Sequence, residues 1–182
     1  GYFKLSDKKY SDPNIRINKV YTRSGDEGQT HLVGGKKIYK DDTRICSYGE
    51  IDELNSYIGG CRELILNKNN QSDFIKLSDI LYRIQNELFN LGNMLATLDE
   101  DIKAGMPKIE NSHIENMEKD IDYFNDSLPD LTSFVLPGGS QLNIWFHISR
   151  TLCRKCERTV VSLSRKESID PIVTKYLNRL SD

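Results

Sequence analysis

No apolar run in this 182-residue chain approaches the roughly 18 residues that a bilayer-crossing helix needs, and no secretory leader opens it. Charge of one sign is lacking too. With 25 Lys and Arg against 27 Asp and Glu, the net charge is −2. That gives no broad basic field and argues against nucleic acid as a partner. Cysteine is scarce: Cys46, Cys61, Cys153 and Cys156 cannot build a disulfide framework, and the Cys153-x-x-Cys156 pair has no second pair at a zinc-site spacing. Packed, reduced thiols in an intracellular, reducing compartment are the expectation. Gly1 stands where an initiator Met would, so the mitochondrial matrix, reached with a since-removed targeting segment, stands beside the cytoplasm as a location. Neither GxxxxGK[ST] nor GxGxxG occurs, which removes the two commonest nucleotide-binding loops.

What is present is helical periodicity. Ile45, Tyr48, Ile51, Leu54, Ile58, Cys61 and Ile65 step by three or four, with Asp42 or Thr43 available as a cap. Phe74, Leu77, Leu81, Ile84, Leu88, Leu91, Leu95 and Leu98 form a second stripe that demands an apolar partner along its length. Ile114, Met117, Ile121, Phe124 and Leu128 predict a third, ending at Pro129. Ser140, after Pro137-Gly138-Gly139, is placed to cap a long fourth helix whose core side holds Leu142, Trp145 or Phe146, Ser149, Leu152 or Cys153, Cys156, Val160 and Leu163. Asp170-Pro171 opens a fifth with Ile172, Val173, Tyr176, Leu177 and Leu180, still running at Asp182. The expected fold is all-α, a five-helix bundle. The polar stretch 1–18 is expected to be flexible, with a single domain over 19–182.

Two segments carry chemistry. In the run HISRTLCRKCERTVV, Arg150, Arg154 and Arg158 recur at four-residue spacing, which stacks three guanidinium groups on one helical face. Like charges so placed cost an isolated helix roughly 0.2–0.5 kcal/mol per pair. An anion is expected against them, polyphosphate first because a guanidinium fork matches phosphate oxygens in pairs. A carboxylate from another helix or chain, or a solvated basic face, are the competing readings. Far away lies Tyr21-Thr22-Arg23-Ser24-Gly25-Asp26-Glu27-Gly28-Gln29-Thr30, then Lys40. Its glycines permit an anion-holding nest of amides, Thr22, Ser24 and Thr30 add hydroxyls, Lys40 adds charge, and Asp26 could hold a phosphate-bridging cation. A plain hairpin turn at Gly25–Gly28 is the competing reading.

Blocks spread over the chain, in the order TRSGDEGQT, KDDTRICSYGEIDELNSYIG, RIQNELFNLGNMLAT, FVLPGGSQLNIWFHISRTLCRKCER and YLNRLSD, together resemble the PduO-type ATP:corrinoid adenosyltransferase family from about Val20 to the end. The resemblance implies a homotrimer with sites between subunits and transfer of the 5′-deoxyadenosyl group of ATP to the cobalt of cob(I)alamin, releasing triphosphate, with Mg²⁺ assisting. It implies ATP contacts from Thr22, Arg23, Ser24, Gly25, Thr30, Lys40, Arg154, Lys155, Cys156, Glu157, Arg158 and Asn178. It pairs Asp52 with Arg150 across the subunit boundary and sets Phe134 beneath the corrin, where it helps exclude a lower axial ligand. Lys155 stands where the family has a second arginine, keeping the charge and losing the fork. The family's last helix also continues past the LNRLSD block, so a shortened last helix is expected. An alternative with the same nucleotide loop is a trimeric ATP-binding scaffold or corrinoid chaperone. A reductase and an adenosylcobalamin-dependent acceptor enzyme are the implied partners.

Other constellations fare worse. Glu110-x-x-His113 is one copy of a di-iron ligand pattern that needs two, so a solvent-facing His113 is expected. His147 is read as a satisfied structural histidine. Asp52 and Glu53 are adjacent on a helix and point apart, so they make no acid/base pair.

Overall fold

The computed structural model describes residues 21, 23–66 and 72–182; the stretch 1–18 lies outside them. The helices are α1 (Thr43–Leu66), α2 (Ser72–Ala96), α3 (Asn111–Asn125), α4 (Gln141–Ser164) and α5 (Pro171–Leu180). A 3₁₀ turn at Asp99–Asp101 follows α2. Two short strands, β1 (Gln29–His31) and β2 (Lys37–Tyr39), precede them as an antiparallel hairpin that pairs Thr30 with Ile38. The helical expectation therefore holds with this small sheet added.

Helix starts follow local side-chain chemistry. Asp42 Oδ1 accepts the Arg44 N–H at 2.8 Å, Ser140 Oγ that of Asn143 at 3.1 Å, and Asp170 Oδ1 that of Ile172 at 3.0 Å, each answering an otherwise orphaned first-turn donor. Glu110 is the N-cap of α3, and His113 Nδ1 accepts the Glu110 N–H at 2.9 Å. The ExxH spacing is thus a capping box, and His113 is half-buried rather than solvent-facing. Two ends differ from expectation. α2 stops at Ala96, leaving Leu98 at the entry to the 3₁₀ turn. α3 stops at Asn125, leaving Leu128 exposed in the loop beyond. α5 ends at Leu180, where the Ser181 N–H returns to the Leu177 carbonyl.

The core joins α1 to α2 and α4 through Ile51, Leu54, Ile58, Leu88, Leu91 and Val160, all at most a few per cent exposed, and their burial drives the assembly of the helices. Gly60 lets Trp145 of α4 lie on α1: a Cβ there would meet the indole Cζ3 at 2.4 Å. Polar ties bring in α3 and α5. Glu87 accepts the Tyr176 hydroxyl at 2.7 Å and meets Arg83 at 3.1 Å, Arg83 reaches Asp120 at 2.6 Å, and Arg179 reaches Glu118 at 2.9 Å. An apolar cleft of about 420 Å³ opens between α3 and the rest, lined by Ile58, Leu77, Ile84, Phe124 and Phe146 among others.

The end of α2 fixes the hairpin. The Leu95 carbonyl accepts from the buried Arg44 guanidinium at 2.7 Å and the Ala96 carbonyl accepts the Val33 N–H at 3.1 Å, so helix-terminal acceptors are answered from outside the helix. Arg44 also binds Glu167 at 2.7 Å, which ties in the α4–α5 connection. Leu32 is buried beside this seam.

Candidate functional site

The glycine segment is a compact loop in front of β1. The Asp26 N–H meets the Arg23 carbonyl at 3.4 Å, the Gly28 N–H meets the Gly25 carbonyl at 3.2 Å, and the Lys40 N–H meets the Gly28 carbonyl at 2.9 Å. Arg23 holds φ +60° and Gly28 φ +77°; the first is uncommon for a residue with a side chain and is the kind of local cost found at ligand-holding turns. A Cβ on Gly25 would sit 2.9 Å from Lys40 Nζ. The ammonium therefore lies directly over the loop, and the bare glycine makes room for it. The hairpin turn itself is at Gly34–Gly35, where the Gly35 N–H bonds the Leu32 carbonyl, so the plain-hairpin reading of Gly25–Gly28 does not hold. Ser24 and Thr30 flank the loop; Thr22 lies outside the described residues.

On α4 the three arginines behave alike. Arg150, Arg154 and Arg158 are all exposed on the side away from the core residues Cys153, Cys156 and Val160, and none has a hydrogen bond or ion pair with a described residue. Glu157 beside them accepts from Asn178 Nδ2 of α5 at 3.1 Å, so these two site residues meet. The next position along turns the other way. Lys155 Nζ lies 3.3 Å from Glu50 of α1, and that hydrogen bond with its Coulomb attraction raises the lysine pKa. Thr159 Oγ1 donates to the same carboxylate at 2.7 Å. Cys156 is fully buried, its thiol 3.3 Å from the Glu50 carbonyl and its pKa pushed up to about 12, chiefly by burial.

These placements give the side chains of two expected ATP contacts other neighbours within the chain. The Lys155 side chain is held by α1, and the Cys156 side chain points into the core. Glu50, the residue responsible, carries no sequence signal of its own, since its partners lie more than a hundred positions away. The cysteines are free; Cys61, Cys153 and Cys156 are packed as expected, whereas Cys46 is exposed. His147 is half-buried beside Arg150 at the mouth of the apolar cleft. It bonds no described residue.

Asp52 is exposed on α1, in a shallow groove with Tyr48, Asn55 and Phe89, and forms no ion pair with Arg150 within the chain. Phe134 is fully solvated at 105 % relative exposure, in a loop whose Leu131 and Leu136 are also exposed. Neither Arg23 nor Lys40 bonds to α4. One chain thus carries two sets of donors, on the glycine loop and on α4, with no bond between them among the described residues. Among the described residues no group of three His, Cys, Asp or Glu could hold a metal ion, and no helix is long and apolar enough to cross a membrane. Asp26, exposed within the loop, suits a Mg²⁺ carried by phosphates, because that ion keeps most of its waters and needs only one or two protein carboxylates.

Comparison with known proteins gives one consistent answer. The family model described as cobalamin adenosyltransferase matches residues 20–182. A Bacillus subtilis corrinoid adenosyltransferase is 44% identical over 165 residues, spanning 90% of this chain and 81% of that protein. The human corrinoid adenosyltransferase is 36% identical, spanning 94% of this chain and 68% of its own length. A phenylalanine-to-histidine variant of a PduO-type ATP:corrinoid adenosyltransferase from Lactobacillus reuteri, solved with cobalamin and ATP, superposes with a TM-score of 0.81 at 38% identity, covering 90% of this chain and 85% of that one. An arginine-to-lysine variant of the Lactobacillus reuteri enzyme, solved with ATP, gives 0.79 at 37% identity, with 89% and 87% covered. With a bundle of this topology, a roofed glycine loop and a partnerless arginine face all present, the chain belongs to the PduO-type cobalamin adenosyltransferase family.

Proposed function

We propose that the chain transfers the 5′-deoxyadenosyl group of ATP to the cobalt of cob(I)alamin, in sites shared between the copies of a homotrimer. The observation that carries this is the arginine face of α4, whose Arg154 and Arg158 guanidinium groups find no partner among the described residues. A second copy supplying its glycine loop would bring Lys40, Arg23 and the loop amides opposite them. The unpaired Asp52 and Arg150 support the same assembly, since a carboxylate and a guanidinium left apart in one chain can meet between two.

In the reaction, two electrons of Co(I) form the Co–C5′ bond while the C5′–O5′ bond breaks and triphosphate departs with the electron pair of that broken bond. Co(I) is itself a strong nucleophile, so no general base is required. The protein's task is to hold C5′ near cobalt, keep water out and stabilise the growing charge on the leaving group. Arg154, Arg158, Lys40 and the loop amides perform the last, Glu157 and Asn178 orient the arginine flank, and Asp26 would hold a Mg²⁺ that shares the phosphate charge. Phe134 offers an apolar surface under the corrin that favours loss of the lower axial ligand, which eases reduction to Co(I).

The test is anaerobic incubation of the full chain with ATP, Mg²⁺ and pre-reduced cob(I)alamin, following the corrinoid spectrum and released triphosphate. Equal amounts of adenosylcobalamin and triphosphate are expected. ATP binding without either product would overturn the transferase reading.

A further inference from the structure

The turn of the β1–β2 hairpin holds two adjacent glycines, and each has its own reason to be glycine. Gly35 has φ +89°, a backbone conformation that side chains rarely adopt. Gly34 has no positive φ, so its backbone alone does not demand a missing side chain. What excludes one is a neighbour: a Cβ on Gly34 would fall on the Asp101 carboxylate, meeting Cγ and both oxygens. Asp101 closes the 3₁₀ turn after α2, where its N–H returns to the Leu98 carbonyl at 2.9 Å. Of the three consecutive acids in that turn, Asp99 and Glu100 are exposed and only Asp101 is half-buried. It forms no ion pair with a described residue. Its seat on the bare Cα of Gly34 is therefore a matter of shape, with a Cα–H turned toward oxygen as the weak attraction that such a contact allows.

The place of this contact in the hairpin gives it leverage. At the tip, Leu32 is buried and the Val33 N–H bonds the Ala96 carbonyl at 3.1 Å. At the other end of the strands, the Lys40 N–H bonds the Gly28 carbonyl at 2.9 Å, and Lys40 Nζ lies over Gly25. Three residue pairs, from Gln29 with Tyr39 to His31 with Lys37, join the two ends over about 10 Å of strand. A hairpin fastened to α2 by one hydrogen bond can still rock about it, and so short a ladder carries any tilt of the tip to the far end. Asp101 occupies the space beside the tip and stops that rocking. Resting on the ATP reading above, we infer that Asp101 is a positioning residue: seated on Gly34, it locks the hairpin tip and so holds Lys40 and the glycine loop in register for the triphosphate of ATP.

The experiment measures the Kd for ATP with Mg²⁺ by isothermal titration calorimetry on the full chain, alongside KM and kcat. Asp101→Ala empties the seat and Gly34→Ala forces the carboxylate off it. Each is expected to raise the Kd and KM for ATP about fivefold, with kcat within about twofold of wild type and the melting temperature of the bundle unchanged. The two together should again give about fivefold, and not the roughly 25-fold of independent effects. Asp101→Asn keeps the outline of the side chain without its charge and should bind ATP as the wild type does. Multiplying effects, a Kd that Asp101→Ala does not move, or a loss in Asp101→Asn as large as in Asp101→Ala each overturn the seat. Should Gly34→Ala fail to fold, the two Asp101 variants decide alone. A wild-type chain that binds ATP but forms no adenosylcobalamin overturns the transferase reading, and the Kd series still decides the seat; one that binds no ATP overturns both.

Discussion

The two flanks of α4 have similar charge and opposite fates. On the flank toward α1, Lys155, Thr159 and Cys156 are all engaged by the single residue Glu50. On the outer flank Arg150, Arg154 and Arg158 are engaged by no described residue. A rotation of about 100° per residue separates a clasp between helices from a basic surface without a partner among the described residues. Basic residues in a row are therefore not a single feature; those whose charge is already answered hold the fold, and those left unanswered are the ones the proposed function calls on.

The outer flank breaks first and hardest. Arg154→Ala is expected to lower kcat by roughly 10²–10³-fold, as loss of one transition-state donor does, with the melting temperature unchanged by calorimetry. Normal turnover with normal ATP affinity would remove Arg154 from the site. Phe134→Ala comes next: about tenfold slower adenosylation from cob(II)alamin with reductant, yet a much smaller loss from pre-reduced cob(I)alamin, since its role lies in easing reduction. Equal losses from both starting states would contradict that role.

The inner flank should respond in stability instead. Glu50→Ala leaves Thr159 and Lys155 without their acceptor and is expected to cost about 1–2 kcal/mol in denaturant unfolding, with less than about a threefold change in kcat. The smallest effect is a slope with pH. The Cys156 thiol is raised by burial to about 12 from its ordinary 9.0, so above pH 9 the unfolded chain loses a proton that the folded chain keeps. Stability should fall as pH rises from 9 toward 12, and Cys156→Ala should flatten that fall. The raised Lys155 works in the same direction: its contribution is complete at neutral pH and is lost only as pH climbs through its folded value.

The same contrast explains what the sequence made legible. Asp42, Ser140 and Asp170 cap the helices that they were read to cap because a cap acts within two or three residues. The arginine face was visible because periodicity alone generates it. The ion pair between Lys155 and Glu50 was not legible, because nothing local reveals that a carboxylate on another helix lies beside that lysine. The β1–β2 hairpin escaped notice because three-residue strands show no alternation, and its seat on α2 depends on backbone carbonyls.

The last carbonyls of α2 have a consequence for the order in which the molecule loosens. The hairpin that follows the glycine loop is fastened to them through Val33, and Arg44 grips the neighbouring carbonyl. Fraying of one helix end would release the loop while the leucine layers remain closed, so amide hydrogen exchange at Val33 and Leu32 should report a partial opening below the global one. Warming would then extinguish catalysis before it melts the bundle, and a ligand that grips the loop would postpone both.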